Sequence, residues 1–415
     1  MASETEIAGP PRKAAALARL AVPAALIGVL SALVLIAVSA LAGRLQTLLW
    51  TSVPNALDVD GGAAPWIIGV LTLTGVAVGL TVRFVPGHGG PDPATQSMVS
   101  APLPIRDVPG LALAIVAGLA GGVSLGPENP VIAINVALAV WIGHRLSRRV
   151  PVPQWVAFAA AGTIGAMFGT PVGAALLLSE TPADPGGPTL WDRLFAPLVA
   201  AAAGSLTMAA FGEPILSVHV AAYPGARWLD LVSAPAIALV AALLVLVLVL
   251  VFPVAHAAFG RLRDPLVALT VGGVVLGVLG ALGGQLTLFK GLDEMKELVA
   301  AHKPAGELAL ILAVKLAALL VAAACGFRGG RIFPAVFAGV ALGLLATHVD
   351  GSVPVSLAIA AAVLGFLLVI SRSGWLSLLM AVTTVGQIEL LPVLCVALLP
   401  VWLLVTDRPE MLIKE

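Results

Sequence analysis

From Ala14 to Ala42 a single charged side chain, Arg19, interrupts an otherwise apolar stretch, and comparable stretches recur almost to the C-terminal end. A run of this length exceeds the roughly 20 residues that span a bilayer as a helix. Charged residues make up only 11% of the 415 positions, against about a quarter in soluble domains. So few charges cannot cover a soluble surface of this size, and the solvent facing most of the chain must be lipid. The runs are continuous rather than alternating, which argues against a strand barrel and for an α-helical bundle. The expected fold is an all-α polytopic membrane protein.

The 22 basic and 22 acidic residues cancel, which gives no case for nucleic-acid binding. Cys325 and Cys395 lie in apolar segments without a pairing pattern and read as small core residues. No zinc-type cluster, phosphate-cradling loop or nucleophile elbow is present in the sequence, so no cofactor, metal or ATP-driven step is implied and an enzyme is not expected. No cleavable signal peptide is evident. Residues 1–13 read as a disordered leader, with Arg12, Lys13 and Arg19 favouring a cytoplasmic N-terminus. The Arg145, Arg148 and Arg149 cluster reads as a solvated loop.

Apolar runs follow at about 64–82, 104–120, 130–143, 154–180, 194–211, 231–257, 265–285, 306–325, 334–347, 354–370 and 375–405. Several are too short to span squarely or carry glycine and proline, so tilted and re-entrant helices fit better than full-length hairpins. The breaks pair up. Pro86–Pro91 and Gly121–Pro130 interrupt the first half; Gly326–Pro334 and Thr383–Pro392 interrupt the second. Paired interruptions in two halves point to a transport site. The division expected is a first transmembrane half at 14–212, a connecting segment at 213–230, a second half at 231–405 and a short tail at 406–415 with no soluble regulatory domain.

Broken helices at membrane depth must be buried in protein or line a watery cavity. A helix starting there presents free N–H groups and the positive end of its dipole. Proline suits the first helical position because it has no N–H to lose; Pro91, Pro130, Pro334 and Pro392 are the expected starts. Several such starts aimed at one point form an anion cradle without a buried cation. Glu128, between Pro127 and Pro130 in an uncharged stretch, has two compatible readings. It can be an acidic residue bonded to N–H groups at a helix start, or a carboxylate that competes with a permeating anion for those groups.

These stretches resemble the CLC family of chloride channels and chloride/proton antiporters. Gly87-His88-Gly89-Gly90-Pro91 is similar to the family's Gly-Ser-Gly-x-Pro, with His88 in place of the ion-binding serine. Gly126-Pro127-Glu128-Asn129-Pro130 keeps the glycine, glutamate and final proline of Gly-Lys/Arg-Glu-Gly-Pro. Gly329-Gly330-Arg331-Ile332-Phe333-Pro334 keeps both glycines and the proline of Gly-Gly-x-Phe-x-Pro, with phenylalanine one place late. The resemblance spans nearly the whole transmembrane chain, and implies two inverted-topology halves, a homodimer with one pore per subunit, and a multi-pass protein of the cell membrane. It places the gate at Glu128 and the anion-binding set at His88, Gly89, Gly126, Asn129, Arg331, Ile332, Phe333 and Gln387.

Three departures bear on mechanism. The only tyrosine, Tyr223, lies in the connecting segment, and counting back from Pro392 puts Gln387 at the family's central tyrosine. Thr181 falls at the inner proton-relay position, one after Glu180, which leaves Glu180 and Thr181 as the relay candidates and favours passive conduction over antiport. His88 either titrates near neutral pH or is a neutral loop histidine bonded to backbone. Arg331 either charges the pathway, or snorkels or pairs with a carboxylate such as Glu389; Lys315 is expected to snorkel or pair. The implied substrate is chloride or a similar small anion, with protons as a candidate partner. Fluoride or bicarbonate transport on the same scaffold, and a non-conducting intramembrane enzyme or assembly subunit, are the alternatives.

Overall fold

The computed structural model describes residues 13–146, 150–181, 187–211 and 216–413. The leader before Lys13, Arg148 and Arg149 of the basic cluster, and the start of the connecting segment at Glu213 lie outside the described residues. The described chain is helical, and its one extended pairing is a bridge between Gly126 and Gly330. The first half contains α1 (Lys13–Thr47), α2 (Val53–Leu57), α3 (Ala64–Phe84), α4 (Val108–Ala120), α5 (Glu128–Leu146), α6 (Val152–Phe168), α7 (Pro171–Ser179) and α8 (Leu190–Ala210). The second half contains α9 (Asp230–Gly260), α10 (Pro265–Gly283), α11 (Leu292–Ala300), α12 (Ala305–Ala324), α13 (Ile332–Val349), α14 (Val355–Ser371), α15 (Gly374–Val385) and α16 (Leu391–Val405). Among the described residues, 8 helical stretches are long and apolar enough to cross a membrane. The chain is a multi-pass integral membrane protein.

Two of the long apolar runs are cut in two by local chemistry. The run at 154–180 breaks where Gly169 takes a left-handed φ of +69° and Thr170 Oγ1 caps Val172 N–H at 3.3 Å, starting α7 at Pro171. The run at 375–405 breaks at Gly386, also at φ +69°, before a 3₁₀ turn at Ile388–Leu390 leads into α16. Apolarity alone carries no mark of either break; the αL glycine does.

One expected helix start is corrected. No helix begins at Pro91: residues 91–104 are irregular, and the next helix is α4, entered through a 3₁₀ turn at Ile105–Asp107. The Asp92 carboxylate caps Ala94 N–H at 2.9 Å, forming a turn rather than a continuing helix.

The halves repeat one packing scheme. α1 lies on α8 as α9 lies on α16; α5 packs on α6 as α13 packs on α14; α1 meets α6 as α9 meets α14. The halves join along α3 and α10. There a Cβ on Gly75 would strike the Leu269 carbonyl, and one on Gly273 would strike the Leu71 carbonyl. Such backbone-to-backbone contact is how helices associate when lipid removes the hydrophobic driving force. α14 is buried along nearly its whole length, while Leu243, Val247, Leu250 and Val254 of α9 lie exposed, as a lipid-facing stripe requires.

Candidate functional site

The site is built by two helix starts that face each other across the two halves. Gly126 and Gly330 exchange backbone hydrogen bonds, Gly126 N–H to Gly330 O at 2.8 Å and Gly330 N–H to Gly126 O at 2.7 Å. This bridge fixes the entrances to α5 and α13 side by side. Glu128, the first residue of α5, has no exposed surface. Its Oε1 accepts the N–H of Ile332 at 2.6 Å and of Phe333 at 3.2 Å, both at the start of α13. These are two of the donors a helix N-terminus leaves free. Its Oε2 is buried and has no hydrogen-bond partner among the described residues.

The glycines leave the space the carboxylate fills. A Cβ on Gly126 would collide with Glu128 Oε2, and one on Gly330 with Glu128 Cδ. Pro130 and Pro334 are the third residues of their helices rather than the first, because each helix starts two positions earlier. Neither proline has an N–H, so neither adds a donor that would have to be satisfied. The Phe333 ring lies 6.1 Å from Phe168.

The first motif is not joined to Glu128 by any hydrogen bond described here. Arg328, absent from the expected site residues, takes it instead. Its guanidinium donates to the carbonyls of Gly89 at 2.8 Å, His88 at 3.1 Å, Gly90 at 3.0 Å and Gly326 at 3.0 Å. His88 sits at φ +51°, and its Nδ1 is 2.9 Å from the Val82 carbonyl. Of the two readings of His88, the backbone-bonded loop histidine fits this geometry. The only sequence signal for Arg328 was a second arginine inside the third break, three places before Arg331.

Arg331 neither snorkels nor pairs with Glu389. Its guanidinium donates to the Met411 carbonyl and, at 2.8 Å, to the Pro93 carbonyl, and lies 5.3 Å over the Phe252 ring. It is 8% exposed. Lys315 does not snorkel either: it is fully buried, and its Nζ donates to the carbonyls of Thr287, Leu288 and Phe289 at 3.2, 3.0 and 2.9 Å. The Phe337 ring lies 4.7 Å away.

Gln387 departs furthest from expectation. Its amide Nε2 donates to Ala221 O at 3.1 Å and its Oε1 accepts Tyr223 N–H at 2.7 Å. Both ends of the side chain clasp the connecting segment, so the place next to the anion donors is corrected to a structural one. Counting back from Pro392 failed because that proline belongs to α16, which repeats the part α8 plays in the first half. The Glu180 carboxylate accepts Trp375 N–H at 2.9 Å, at the start of α15, and Thr181 Oγ1 donates to Leu178 O at 2.6 Å, closing the end of α7. Asn129 lines a cavity of about 110 Å³ together with Ile332 and Arg331.

Chemically, the α5–α13 junction is a buried carboxyl oxygen held by peptide N–H groups in a glycine-walled slot. Any anion of oxygen-like size could replace that oxygen. Swinging the carboxylate out would vacate the donors, and protonation would weaken its hold on them.

The family model described as voltage gated chloride channel matches residues 74–403. A protein of Escherichia coli (strain SE11) named for ion transport, YfeO, is 49% identical over 397 residues, covering 95% of each chain. Its counterpart in Shigella boydii serotype 4 (strain Sb227) is 49% identical over the same length. Among solved structures, a CLC-type fluoride/proton antiporter superposes with a TM-score of 0.75 at 17% identity, covering 95% of this chain and 97% of that one. A slow cyanobacterial Cl⁻/H⁺ antiporter gives 0.77 at 15% identity, covering 94% and 96%. At such identities the likeness shows the fold and no more.

Proposed function

The chain belongs to the voltage-gated chloride channel family, and from that premise we propose that it moves a small inorganic anion, chloride first among them, across the cell membrane. Members of this family are transport proteins, not enzymes, and the chain is read as one. The observation that carries the reading is the Glu128 Oε1 seated on the N–H groups of Ile332 and Phe333 at 2.6 and 3.2 Å. A permeating anion would take that seat, and Glu128 would be the gate that leaves it. Gly126 and Gly330 keep the slot wide enough for either occupant.

Passive conduction is favoured over proton coupling. Thr181 cannot carry protons as a carboxylate can, and Glu180 is engaged by Trp375 N–H. The alternative is a secondary transporter of fluoride or bicarbonate on the same scaffold. A homodimer, each subunit with its own pore, is part of the same proposal.

The experiment is anion flux from liposomes holding the purified protein, with chloride, fluoride and bicarbonate in turn and a proton indicator inside. Chloride flux without stoichiometric proton movement supports the reading. Flux of no anion would reject it, and proton movement locked to chloride movement would replace the channel with an antiporter.

A further inference from the structure

Where the turn between α11 and α12 meets the end of α13 and the connecting segment, the surface opens into a cleft of about 650 Å³. No residue of the Glu128 site lines it. Its polar lining is His219 of the connecting segment, Lys296 of α11, His302 and Lys303 of the turn, and Thr347 and His348 of α13. Its floor is apolar, built from Leu298, Leu308, Leu344 and Val355 among others, and Leu298 and Leu308 are buried. Among the described residues that form the lining there is no acid.

The basic groups keep donors to spare. Lys303 Nζ donates to Glu307 at 2.8 Å, and Lys296 lies 3.7 Å from Asp293, but both acids are solvent-exposed and outside the lining. Such pairs contribute little, and an ammonium has three N–H groups to share. His302 Nδ1 lies 2.8 Å from Ala300 O, with its backbone at a left-handed φ of +45°. His348 Nε2 lies 3.2 Å from Lys303 O. Each ring is anchored through one nitrogen, which leaves the second for a ligand.

The cleft also sits at the depth where the protein leaves lipid. Arg227 donates to Ser352 O at 2.9 Å, which holds the entrance to α9 against the turn between α13 and α14. His348 and Val355 flank that turn and line the cleft. Trp228, just before α9, is 86% exposed, and an exposed tryptophan at the end of a span marks the headgroup layer. On α12, Leu310 is 49% exposed, two residues beyond Leu308 of the floor, so the lipid-facing surface begins beside the cleft.

We propose that this cleft binds the phosphate-bearing headgroup of an anionic membrane lipid, with Lys296, Lys303 and the three histidines around the phosphate. The apolar floor lies under the glycerol and the first acyl carbons. A cationic rim over an apolar floor fits a molecule charged at one end and apolar at the other; a small soluble anion would leave the floor unused. The inference goes beyond the transport reading and does not depend on it.

The test is thermal melting of the purified full chain in an uncharged detergent, titrated with dioctanoyl phosphatidylglycerol, dioctanoyl phosphatidylcholine or glycerol 3-phosphate. A ligand of the folded state raises the melting temperature as its concentration passes its Kd. Phosphatidylglycerol should do so at concentrations where the other two do not. Lys296→Gln and Lys303→Gln should each weaken this binding by about fivefold, the worth of one lysine at an anionic membrane surface, and Lys303→Arg should retain it. Arg261→Gln, which removes an exposed basic residue at the far end of α9, should leave it unchanged. Equal responses to the two lipids, or undiminished phosphatidylglycerol binding in both glutamine variants with wild-type melting before titration, would overturn the site. Glycerol 3-phosphate binding as tightly as phosphatidylglycerol would overturn the lipid occupant, because the floor would then contribute nothing.

Discussion

Gly126 and Gly330 are hydrogen-bonded to each other in both directions, at 2.8 and 2.7 Å, and bring the halves of the molecule backbone to backbone beside Glu128. Everything at Glu128 depends on this pairing, because it sets the start of α5 against the start of α13. Neither glycine can gain a side chain without striking the Glu128 carboxyl group.

Gly330→Ala therefore expels Glu128 from its seat. Its Cβ would overlap Glu128 Cδ and Cγ, and overpacking of this kind costs about 1–3 kcal/mol. The expected outcome is a lowered melting temperature in detergent together with anion flux that no longer responds to pH. A stable variant with wild-type pH response would mean that the slot is looser than the geometry implies.

Lys315→Met removes the donor shared by three carbonyls, those of Thr287 and Leu288, which are buried, and of Phe289, which is part-buried. Losing one partner of buried polar groups costs about 1–3 kcal/mol for each group left unsatisfied. Phe289 N–H also bonds Gly122 O at 3.0 Å, so the loosened turn lies against the break that leads to Glu128. Thermal unfolding in detergent should fall clearly, and Lys315→Arg should recover only part of the loss because a fork does not match three converging carbonyls.

Tyr223 is the chain's single tyrosine, so its titration can be read directly by tyrosinate absorbance. Burial pushes its phenol up from the ordinary value of about 10, and the hydrogen bond it donates to Asp230 at 2.6 Å pushes the same way. The folded state therefore holds the proton more tightly than the unfolded state. The stability this supplies is complete below about pH 10 and is lost as pH climbs from there through the higher folded value. Unfolding in denaturant should return the titration to the ordinary range, and Tyr223→Phe should remove this part of the alkaline destabilisation. A normal titration in the folded protein would contradict the Tyr223–Asp230 contact.

The membrane class, the helical fold and the prominence of Glu128 were legible because each is written locally. Apolar length, glycine-proline breaks and one acid in an uncharged stretch need no distant partner to be recognised. The third motif was legible for the same reason: Ile332 and Phe333 come after Gly330 with only Arg331 between, and become donors simply by starting α13. What the sequence hid was tertiary. Arg331 bonds Met411 and Pro93, and Arg328 bonds His88, Gly89 and Gly90. All of these are carbonyls, which every residue has, so no residue type announces them. Gln387 was misplaced because one proline was taken as a register mark, when α16 is the counterpart of α8. Pro91 failed as a helix start because Asp92 caps a turn there.

Chloride efflux from liposomes, measured across acidic to neutral pH for the wild type and for Glu128→Gln, bears most directly on the proposed gating role of Glu128. Charge-assisted hydrogen bonds such as the two that Ile332 and Phe333 give Glu128 are worth about 1.5–3 kcal/mol each. Wild-type flux should accordingly rise as acid neutralises the carboxylate, by about tenfold or more. Glu128→Gln carries no such charge, and its flux should be high and flat with pH. A wild type and a Glu128→Gln variant with the same flux and the same pH profile would show that this carboxylate does not stand in the anion's path.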